Sequence, residues 1–139
     1  MKRVLVGGVF SILHPGHIFF LKKARSLGDH LTVVLTHDKN VRKKNGVLIT
    51  PATERKRVIE AIRYVDNVVI GDEMDFFKPI KKAKPDIIAF GYDQRFDTIW
   101  LRNTLKKNRM TCKIVRIKES FGAYSTSRIF NKIKRSNAG

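Results

Sequence analysis

The sequence is poor in the residues that build disulfides, metal clusters and membrane spans. Its 139 residues include one cysteine, Cys112, one tryptophan and four prolines. A single cysteine excludes an internal disulfide, and no Cys/His spacing fits a zinc site. No apolar run approaches the ~18 residues of a spanning helix. The N-terminal run reaches Gly7-Gly8 after three apolar residues, which is too short for a signal peptide. We therefore expect a cytoplasmic protein with no membrane-embedded part.

Acidic residues are also scarce. The chain has 12 Asp and Glu and 29 Lys and Arg, so its formal net charge is +17. Residues 101–139 hold eleven Lys or Arg and one acid, Glu119, and so contribute +10 of that charge. With 42% hydrophobic residues the chain can still bury a core, so the charge does not indicate disorder. It does indicate an anionic partner, which is nucleic acid, an anionic membrane surface or a phosphorylated small molecule.

Short apolar runs alternate with segments of helical periodicity along the chain. The runs are rich in β-branched residues and nearly continuous, as in strands buried on both faces of a parallel sheet. They lie at residues 4–6, 31–35, 68–70, 86–90 and 113–117. Their order predicts an α/β fold, a Rossmann-like open parallel five-stranded sheet with helices on both faces. We expect one domain over residues 1–135 and a flexible tail at residues 136–139.

Helices are predicted between these strands and after the last one, at residues 15–27, from 51 onward, and at about 76–83, 97–107 and 125–135. Gly28 should end the first helix, and Thr50 should cap the second ahead of Pro51. The second helix is expected to turn Val58, Ile59 and Ile62 inward. Ligands in such folds bind beyond the carboxyl ends of the strands, so functional motifs are sought there.

The segment after the first strand reads Gly-Gly-Val-Phe-Ser-Ile-Leu-His-Pro-Gly-His at residues 7–17. Its glycines permit a tight turn and the close approach of a ligand. His14 and His17 fall one helical turn apart at a helix N-terminus, where free N–H groups and the helix dipole attract phosphate. Two imidazoles there can donate hydrogen bonds to the charge that develops as a phosphoanhydride breaks. The alternative is that both histidines only cap the helix.

This segment resembles the Gly-Thr-Phe-Asp-x-x-His-x-Gly-His signature of the small nucleotidyltransferases, which include glycerol-3-phosphate cytidylyltransferase and the archaeal FAD synthases. The resemblance covers nearly the whole chain but departs at Val9 and Ser11, where the family carries Thr and Asp. It implies an α/β enzyme, often a homodimer, that uses Mg²⁺ to transfer a nucleotidyl group from a nucleoside triphosphate to a phosphate-bearing acceptor. It also implies two catalytic histidines within a nucleotide site formed by Gly8, Val9, Phe10, His14, Pro15, Gly16 and His17.

Three further segments extend the resemblance. Family members hold the triphosphate with a lysine in a flexible loop. The corresponding segment here is the basic stretch 38–46, and we choose Lys44 as the lysine that contacts the triphosphate. An arginine early in the next helix, here Arg55, has a similar role. Gly91 and Asp93 match the family's Gly-x-Asp nucleotide contact. The family's Ile-Ser-Thr-Thr element, which meets the β- and γ-phosphates, is similar to the predicted helix start at Tyr124, Ser125, Thr126 and Ser127.

These resemblances predict transfer of AMP from ATP to FMN, giving FAD and pyrophosphate. Residues 84–94 are closer to the archaeal FAD synthases, and residues 118–123 lack the Arg-Thr-Glu-Gly run of the cytidylyltransferases. Cytidylyl transfer from CTP to glycerol 3-phosphate or another lipid or sugar phosphate is the alternative. A basic nucleic-acid-binding module is the second, although the motifs make it less favoured.

Two remaining features of the sequence concern metals and aromatic residues. No cage of carboxylates is evident, so no protein metal site is expected and Mg²⁺ should arrive on the nucleotide phosphates. The phenylalanine pairs at residues 19–20 and 76–77, together with Trp100, are expected in the core or at a subunit interface. A role for them against a flavin ring has no support from their position in the sequence.

Overall fold

Five parallel strands form the sheet at the centre of the computed structural model, which describes residues 1–120 and 131–136 apart from the side chains of Lys44 and Asn45. In chain order they are β1 (Arg3–Gly8), β2 (His30–Leu35), β3 (Asn67–Ile70), β4 (Ile87–Phe90) and β5 (Lys113–Arg116). They lie side by side in the order β3-β2-β1-β4-β5. The predicted α/β fold is therefore confirmed. The order reverses at β1, so the carboxyl ends of β1 and β4 flank the crevice where ligands bind in such sheets.

Helices pack on both faces of the sheet. They are α1 (Pro15–Ser26), α2 (Asp38–Asn45), α3 (Ala52–Glu60), α4 (Lys78–Ala83) and α5 (Thr98–Lys107). On one face Val4 of β1 joins Leu21 and Ile59 in a buried apolar cluster, while on the other face Leu5 joins Leu101. Alternate residues of β1 thus enter opposite layers, as the two-residue period of a strand requires. Within the described ranges, no helix is both long enough and apolar enough to cross a membrane.

The end of α1 differs from the sequence expectation. Leu27 is the C-cap in the right-handed helical region, and Gly28 does not adopt a positive φ. Instead, a Cβ added to Gly28 would lie 2.6 Å from the carbonyl oxygen of Lys2. Glycine is required here because the chain passes close to the backbone ahead of β1, not because it ends the helix in a left-handed conformation.

The start of α3 also differs. Pro51, not Thr50, is the N-cap, and it makes no side-chain capping hydrogen bond. The N–H of Ala52 donates instead to Oδ1 of Asp38 at 2.8 Å, so a carboxylate from another segment replaces the local cap. Val58, which was expected to face inward, is 50% exposed, although its neighbour in the sequence at position 59 is buried.

The basic segment 38–46 is a helix and not the loop that the sequence indicated. His37 caps α2 by accepting the N–H of Lys39 at Nδ1, at 3.2 Å, and Gly46 ends it with a φ of 75°. Val41 is fully buried, while the charged residues on either side of it are exposed. A single buried apolar residue in eight is too little for the helical period to be recognised in the sequence.

The last described residues, 131–136, are helical. Ser136, which was assigned to the flexible tail, belongs to the helical segment 131–136, and its hydroxyl donates to the carbonyl oxygen of Lys132 at 3.0 Å. The predicted beginning of this last helix, after Ser125, lies outside the described residues, and so do residues 137–139.

Candidate functional site

A cavity of about 890 Å³ opens at the carboxyl ends of the strands. Its volume is within the ~300–1,000 Å³ that is typical of small-molecule sites. The predicted nucleotide-binding residues that line it are Gly8, Val9, Phe10, His14, Gly16, His17, Gly91 and Asp93. The fold therefore brings the histidine motif after β1 and the Gly-x-Asp motif after β4 to one place.

The other predicted site residues lie elsewhere in the structure or outside its described part. Pro15 is the exposed first residue of α1 and does not line the cavity. Arg55 is buried in α3 and does not line it either. Lys44 lies in the last turn of α2, and nothing is described of its side chain. The predicted phosphate cradle also lies outside the described residues, and it consists of Tyr124, Ser125, Thr126 and Ser127.

The turn between β1 and α1 is tightly packed. A Cβ added to Gly8 would lie 2.7 Å from Cε2 of Phe10, so this position has no space for a side chain beside that ring. Phe10 has a φ of 53°, in the left-handed region that bulky residues rarely adopt. Its ring meets the imidazole of His17 edge-on, with centroids 5.1 Å apart. The backbone of residues 8–10 is thereby held at the edge of the cavity, where a ligand can approach it closely.

His14 and His17 orient each other at the start of α1. Nδ1 of His14 accepts the N–H of Gly16 at 3.1 Å, and Nδ1 of His17 accepts the N–H of His14 at 3.2 Å. The two rings stack with centroids 3.8 Å apart. Because each Nδ1 accepts a hydrogen bond, the neutral imidazoles carry their protons on Nε2. The cavity is thus lined by two histidines whose tautomers are fixed as hydrogen-bond donors at Nε2.

Both histidines are neutral at physiological pH. Burial, followed by the charge of His14, lowers the pKa of His17 to about 4. Burial also lowers the pKa of His14, against the opposing effect of the Asp93 carboxylate. The pair therefore donates hydrogen bonds without contributing positive charge of its own.

The first N–H groups of α1 already have partners within the protein. The N–H of Gly16 is taken by the side chain of His14, and those of His17 and Ile18 donate to the carbonyl oxygen of His14. The free N–H groups that were expected at this helix start are therefore occupied. An anion here meets the helix dipole and the imidazoles instead of a row of open N–H groups.

Arg55 joins the turn after β1 to the segments that precede α2 and α3. Its Nη1 donates to the carbonyl oxygen of Val9 at 2.7 Å. Nη2 donates to the carbonyl oxygen of Thr36 at 2.9 Å and to Oδ1 of Asp38 at 2.8 Å. Nε donates to the carbonyl oxygen of Thr50 at 2.9 Å. The residue is 2% exposed. All three nitrogens of the guanidinium thus donate to protein acceptors.

Two residues that were missed at the sequence level hold the end of β4. Oε1 of Gln94 accepts the N–H of Gly91 at 3.2 Å, and its Nε2 donates to the carbonyl oxygen of Gly7 at 3.1 Å. Nη1 of Arg116 donates to the carbonyl oxygen of Gly91 at 2.7 Å and also to that of Gln94. An amide directly after Gly-Tyr-Asp was the available signal for Gln94. Nothing in the sequence around Arg116 indicated this role, because Arg116 ends β5 and its hydrogen-bond partners follow β4.

The aromatic residues do not all lie where the sequence indicated. Phe77 is buried in the core, as expected, but its neighbour Phe76 is 54% exposed and lines the cavity. Phe19 and Phe20 also line it from α1. Trp100 is 41% exposed and packs edge-on against Phe76, with centroids 6.0 Å apart. The phenylalanines of these pairs therefore belong in large part to the cavity.

Across residues 1–120 and 131–136, no three or more His, Cys, Asp or Glu side chains are grouped so that they could hold a metal ion. Three acidic residues, Asp72, Asp93 and Glu119, line the cavity without forming such a group.

Comparisons with known proteins find similar chains by sequence and by structure. The model of the cytidylyltransferase-like family matches residues 5–134. An FAD synthase from Ferroglobus placidus is 47% identical over 135 residues, which cover 96% of this chain and 88% of that protein. One from Archaeoglobus fulgidus is 46% identical over 134 residues, covering 95% and 97%. The solved lipopolysaccharide core biosynthesis protein from Thermoplasma volcanium is 41% identical, with a TM-score of 0.82 over 87% of this chain and 98% of that one.

Proposed function

The chain belongs to the cytidylyltransferase-like family, and from this membership we propose that it transfers AMP from ATP to the phosphate of FMN, giving FAD and pyrophosphate. The relatives from F. placidus and A. fulgidus, which are FAD synthases, support this substrate pair. The observation that carries the chemistry is the pair of neutral histidines, with fixed tautomers, that lines the cavity at the strand ends.

The proposed reaction is a displacement at the α-phosphorus of ATP. An oxygen of the FMN phosphate attacks this phosphorus while the bond to the bridging oxygen of the β-phosphate breaks, and the electron pair leaves with pyrophosphate. The phosphate dianion is already a nucleophile, so atoms and charges balance without a general base. The protein has to orient the two substrates and stabilise the negative charge at the reacting phosphates.

His14 and His17 supply this stabilisation in the proposed mechanism. Their Nε2–H groups donate to oxygens of the α-phosphate and of the departing pyrophosphate. Because both imidazoles are held by their Nδ1 hydrogen bonds, their Nε2–H groups act as preorganised donors.

The nucleotide is proposed to lie between the turn after β1 and the end of β4. The backbone of Gly8 and Phe10 would contact its phosphates, and the carboxylate of Asp93 would accept a hydrogen bond from its ribose or base. We assign Lys44 and the segment 124–127 to the β- and γ-phosphates. When bound to these phosphates, Mg²⁺ withdraws charge from the bond that breaks. Arg55 enters as a positioning residue because its donors are already engaged.

Four substrate pairs test this proposal: ATP or CTP, each with FMN or glycerol 3-phosphate, in the presence of Mg²⁺. We expect pyrophosphate release with ATP and FMN, with FAD as the second product on chromatography, and we expect excess EDTA to stop it. Release with CTP and glycerol 3-phosphate alone would assign a cytidylyltransferase instead. No release with any pair would contradict nucleotidyl transfer.

The net charge of +17 raises the separate question of nucleic-acid binding. Non-specific binding of RNA or DNA weakens steeply with salt and does not depend on a particular histidine. Nucleotidyl transfer should fall by roughly 10²- to 10³-fold in His14→Ala while any RNA retention persists, which separates the two activities.

We also propose the homodimer that the family resemblance implies. Light scattering tests it by comparing the mass in solution with the 16.0 kDa of one chain.

A further inference from the structure

The cavity has two ends of different chemistry. Near the histidine pair its lining combines polar groups, namely the backbone of the turn after β1 and the carboxylate of Asp93, with the rings of Phe10 and Phe20. The other end is lined by apolar side chains from β4, α4, α5 and the segments that precede these helices. They are Phe76, Pro79, Ile80, Phe90, Phe96 and Leu101. Since both ends belong to one continuous cavity, a ligand that is partly apolar and partly anionic can reach from one to the other.

Phe76, Phe90 and Phe96 form an aromatic wall at the apolar end. The rings of Phe90 and Phe96 are stacked, with centroids 5.0 Å apart and planes at 19°, and those of Phe76 and Phe96 are also 5.0 Å apart at 30°. Phe90 is 6% exposed and anchors the wall in the core, whereas Phe76 is 54% exposed. Trp100 supports both Phe76 and Phe96 edge-on from outside the cavity lining. The fold thus holds accessible aromatic surface at a cavity where an apolar ring can stack on it.

We propose that the aromatic wall binds the isoalloxazine ring of the acceptor, so that the ribityl phosphate of FMN extends toward His14 and His17. This inference rests on the proposed function and names the part of the site that selects its acceptor. The flavin ring is a planar aromatic system with a dimethylbenzene edge, which suits the apolar side chains of Pro79, Ile80 and Leu101. Adenine carries ring nitrogens and an amino group around its edge, whereas the flavin ring can present one fully apolar edge to this wall and keep its polar edge away from it.

Riboflavin is the sharpest probe, because it carries the flavin ring without the reacting phosphate. Its binding is followed through the quenching of its own fluorescence, in the absence of ATP and without turnover. Phe96→Leu and Phe76→Leu each remove a stacking partner and keep an apolar side chain. Loss of one aromatic stacking contact, worth about 0.5–1.5 kcal/mol, corresponds to roughly a 2- to 13-fold weaker Kd for riboflavin. The Kd for ATP, measured by calorimetry, should not change in either variant.

Tyr64→Leu is the matched control, because Tyr64 is a half-buried aromatic residue that does not line the cavity. It should leave the Kd values of riboflavin and ATP as in the wild type. Phe76 is the more exposed of the two mutated residues, so its variant keeps the test valid even if Phe96→Leu lowers the melting temperature. Riboflavin should also inhibit FAD synthesis competitively with FMN, and this inhibition should weaken in both wall variants.

Several outcomes would overturn the inference. Unchanged riboflavin binding in Phe76→Leu and a folded Phe96→Leu would show that the wall does not hold the flavin. Weaker ATP binding with unchanged riboflavin binding would assign the wall to adenine, and so would contradict the inference while leaving FAD synthesis intact. Wild-type protein that binds riboflavin through the wall but forms no FAD would contradict the proposed function alone. Failure of the wild type to bind riboflavin at all would contradict the wall assignment.

Discussion

Nη2 of Arg55 lies 2.8 Å from Oδ1 of Asp38, and the same carboxylate oxygen accepts the N–H of Ala52 at 2.8 Å. Asp38 therefore fixes both the guanidinium and the beginning of α3, the helix that carries Arg55. The side chain of Arg55 is 1% exposed and that of Asp38 is 33% exposed. The buried charge thus has its counter-ion at the border with solvent, where the carboxylate keeps part of its hydration.

Replacing Arg55 by alanine should weaken both the fold and catalysis. The substitution leaves the carbonyl oxygens of Val9 and Thr36 without their donor and Asp38 without its counter-ion. We expect the free energy of unfolding to fall by on the order of 3 kcal/mol, measured by urea denaturation. Arg57→Ala is the matched control in the same helix. Arg57 is exposed, so its removal should cost less than about 0.5 kcal/mol.

The same pair of variants distinguishes positioning from direct contact with phosphate. A positioning role predicts that Arg55→Ala lowers kcat together with stability, because the turn that ends at Phe10 loses its anchor at Val9. Unchanged stability combined with an increase in KM for ATP alone would instead assign Arg55 to the triphosphate.

Comparing His14→Asn with His14→Ala should distinguish the contribution of His14 to helix capping from its contribution to catalysis. His14 caps α1 through its side chain, and asparagine is also a good N-cap, whereas alanine is not. We expect His14→Asn to retain about 1 kcal/mol of stability that His14→Ala loses. Both should reduce kcat by roughly 10²- to 10³-fold, because neither keeps the Nε2–H donor. Pyrophosphate release and thermal melting measure the two effects. Near-normal activity in His14→Asn would show that His14 only caps α1 and has no catalytic role.

His17 should make stability depend on pH in the acidic range. Its pKa is lowered from 6.5 to about 4 in the folded state, chiefly by burial, so between these values the unfolded chain binds more protons. The contribution is fully present above pH 6.5 and is lost as pH falls through about 4. His17→Gln keeps an acceptor for the N–H of residue 14 and removes the titration. Its melting temperature should therefore fall less than that of the wild type between pH 7 and pH 4.5. Parallel curves for the two proteins would contradict this assignment.

The amide of Gln94 should be needed for ATP binding. It bridges the end of β1 at Gly7 and the end of β4 at Gly91, where the nucleotide is proposed to lie. Gln94→Met keeps the length of the side chain but neither hydrogen bond, and we expect an increase in KM for ATP of about 10-fold, equivalent to ~1.4 kcal/mol. Gln94→Glu keeps only the acceptor for Gly91 and should not restore binding. Steady-state kinetics with varied ATP checks both, and an unchanged KM in Gln94→Met would sink the prediction.

The strands and the histidine motif were predictable because their signals are local. The β-branched runs need only their neighbours in the sequence to be recognised, and Pro15 marks the start of α1 directly beside His14. The capping role of His14 is compatible with its proposed chemical role, since Nδ1 accepts the N–H of Gly16 and the proton is left on Nε2.

What could not be predicted depends on contacts between distant segments. Arg55 belongs to the run Glu-Arg-Lys-Arg and resembles the solvated charges around it. Its burial is decided by carbonyl oxygens that lie 46 and 19 residues away in the chain. Phe76 and Phe77 are adjacent residues of the same type, which the sequence does not distinguish. Phe76 nevertheless lines the cavity and Phe77 is buried in the core, because the two side chains leave the backbone ahead of α4 in different directions. Such assignments need the tertiary structure.

The packing of Phe10 against Gly8 has a consequence for how this turn can change during evolution. The ring fills the space that a side chain at position 8 would need, and the same ring contacts His17. A larger residue at position 8 requires the ring of Phe10 to move or to be replaced by a smaller side chain, and either change alters its contact with the histidine. The effects of substitutions at positions 8 and 10 should therefore be epistatic.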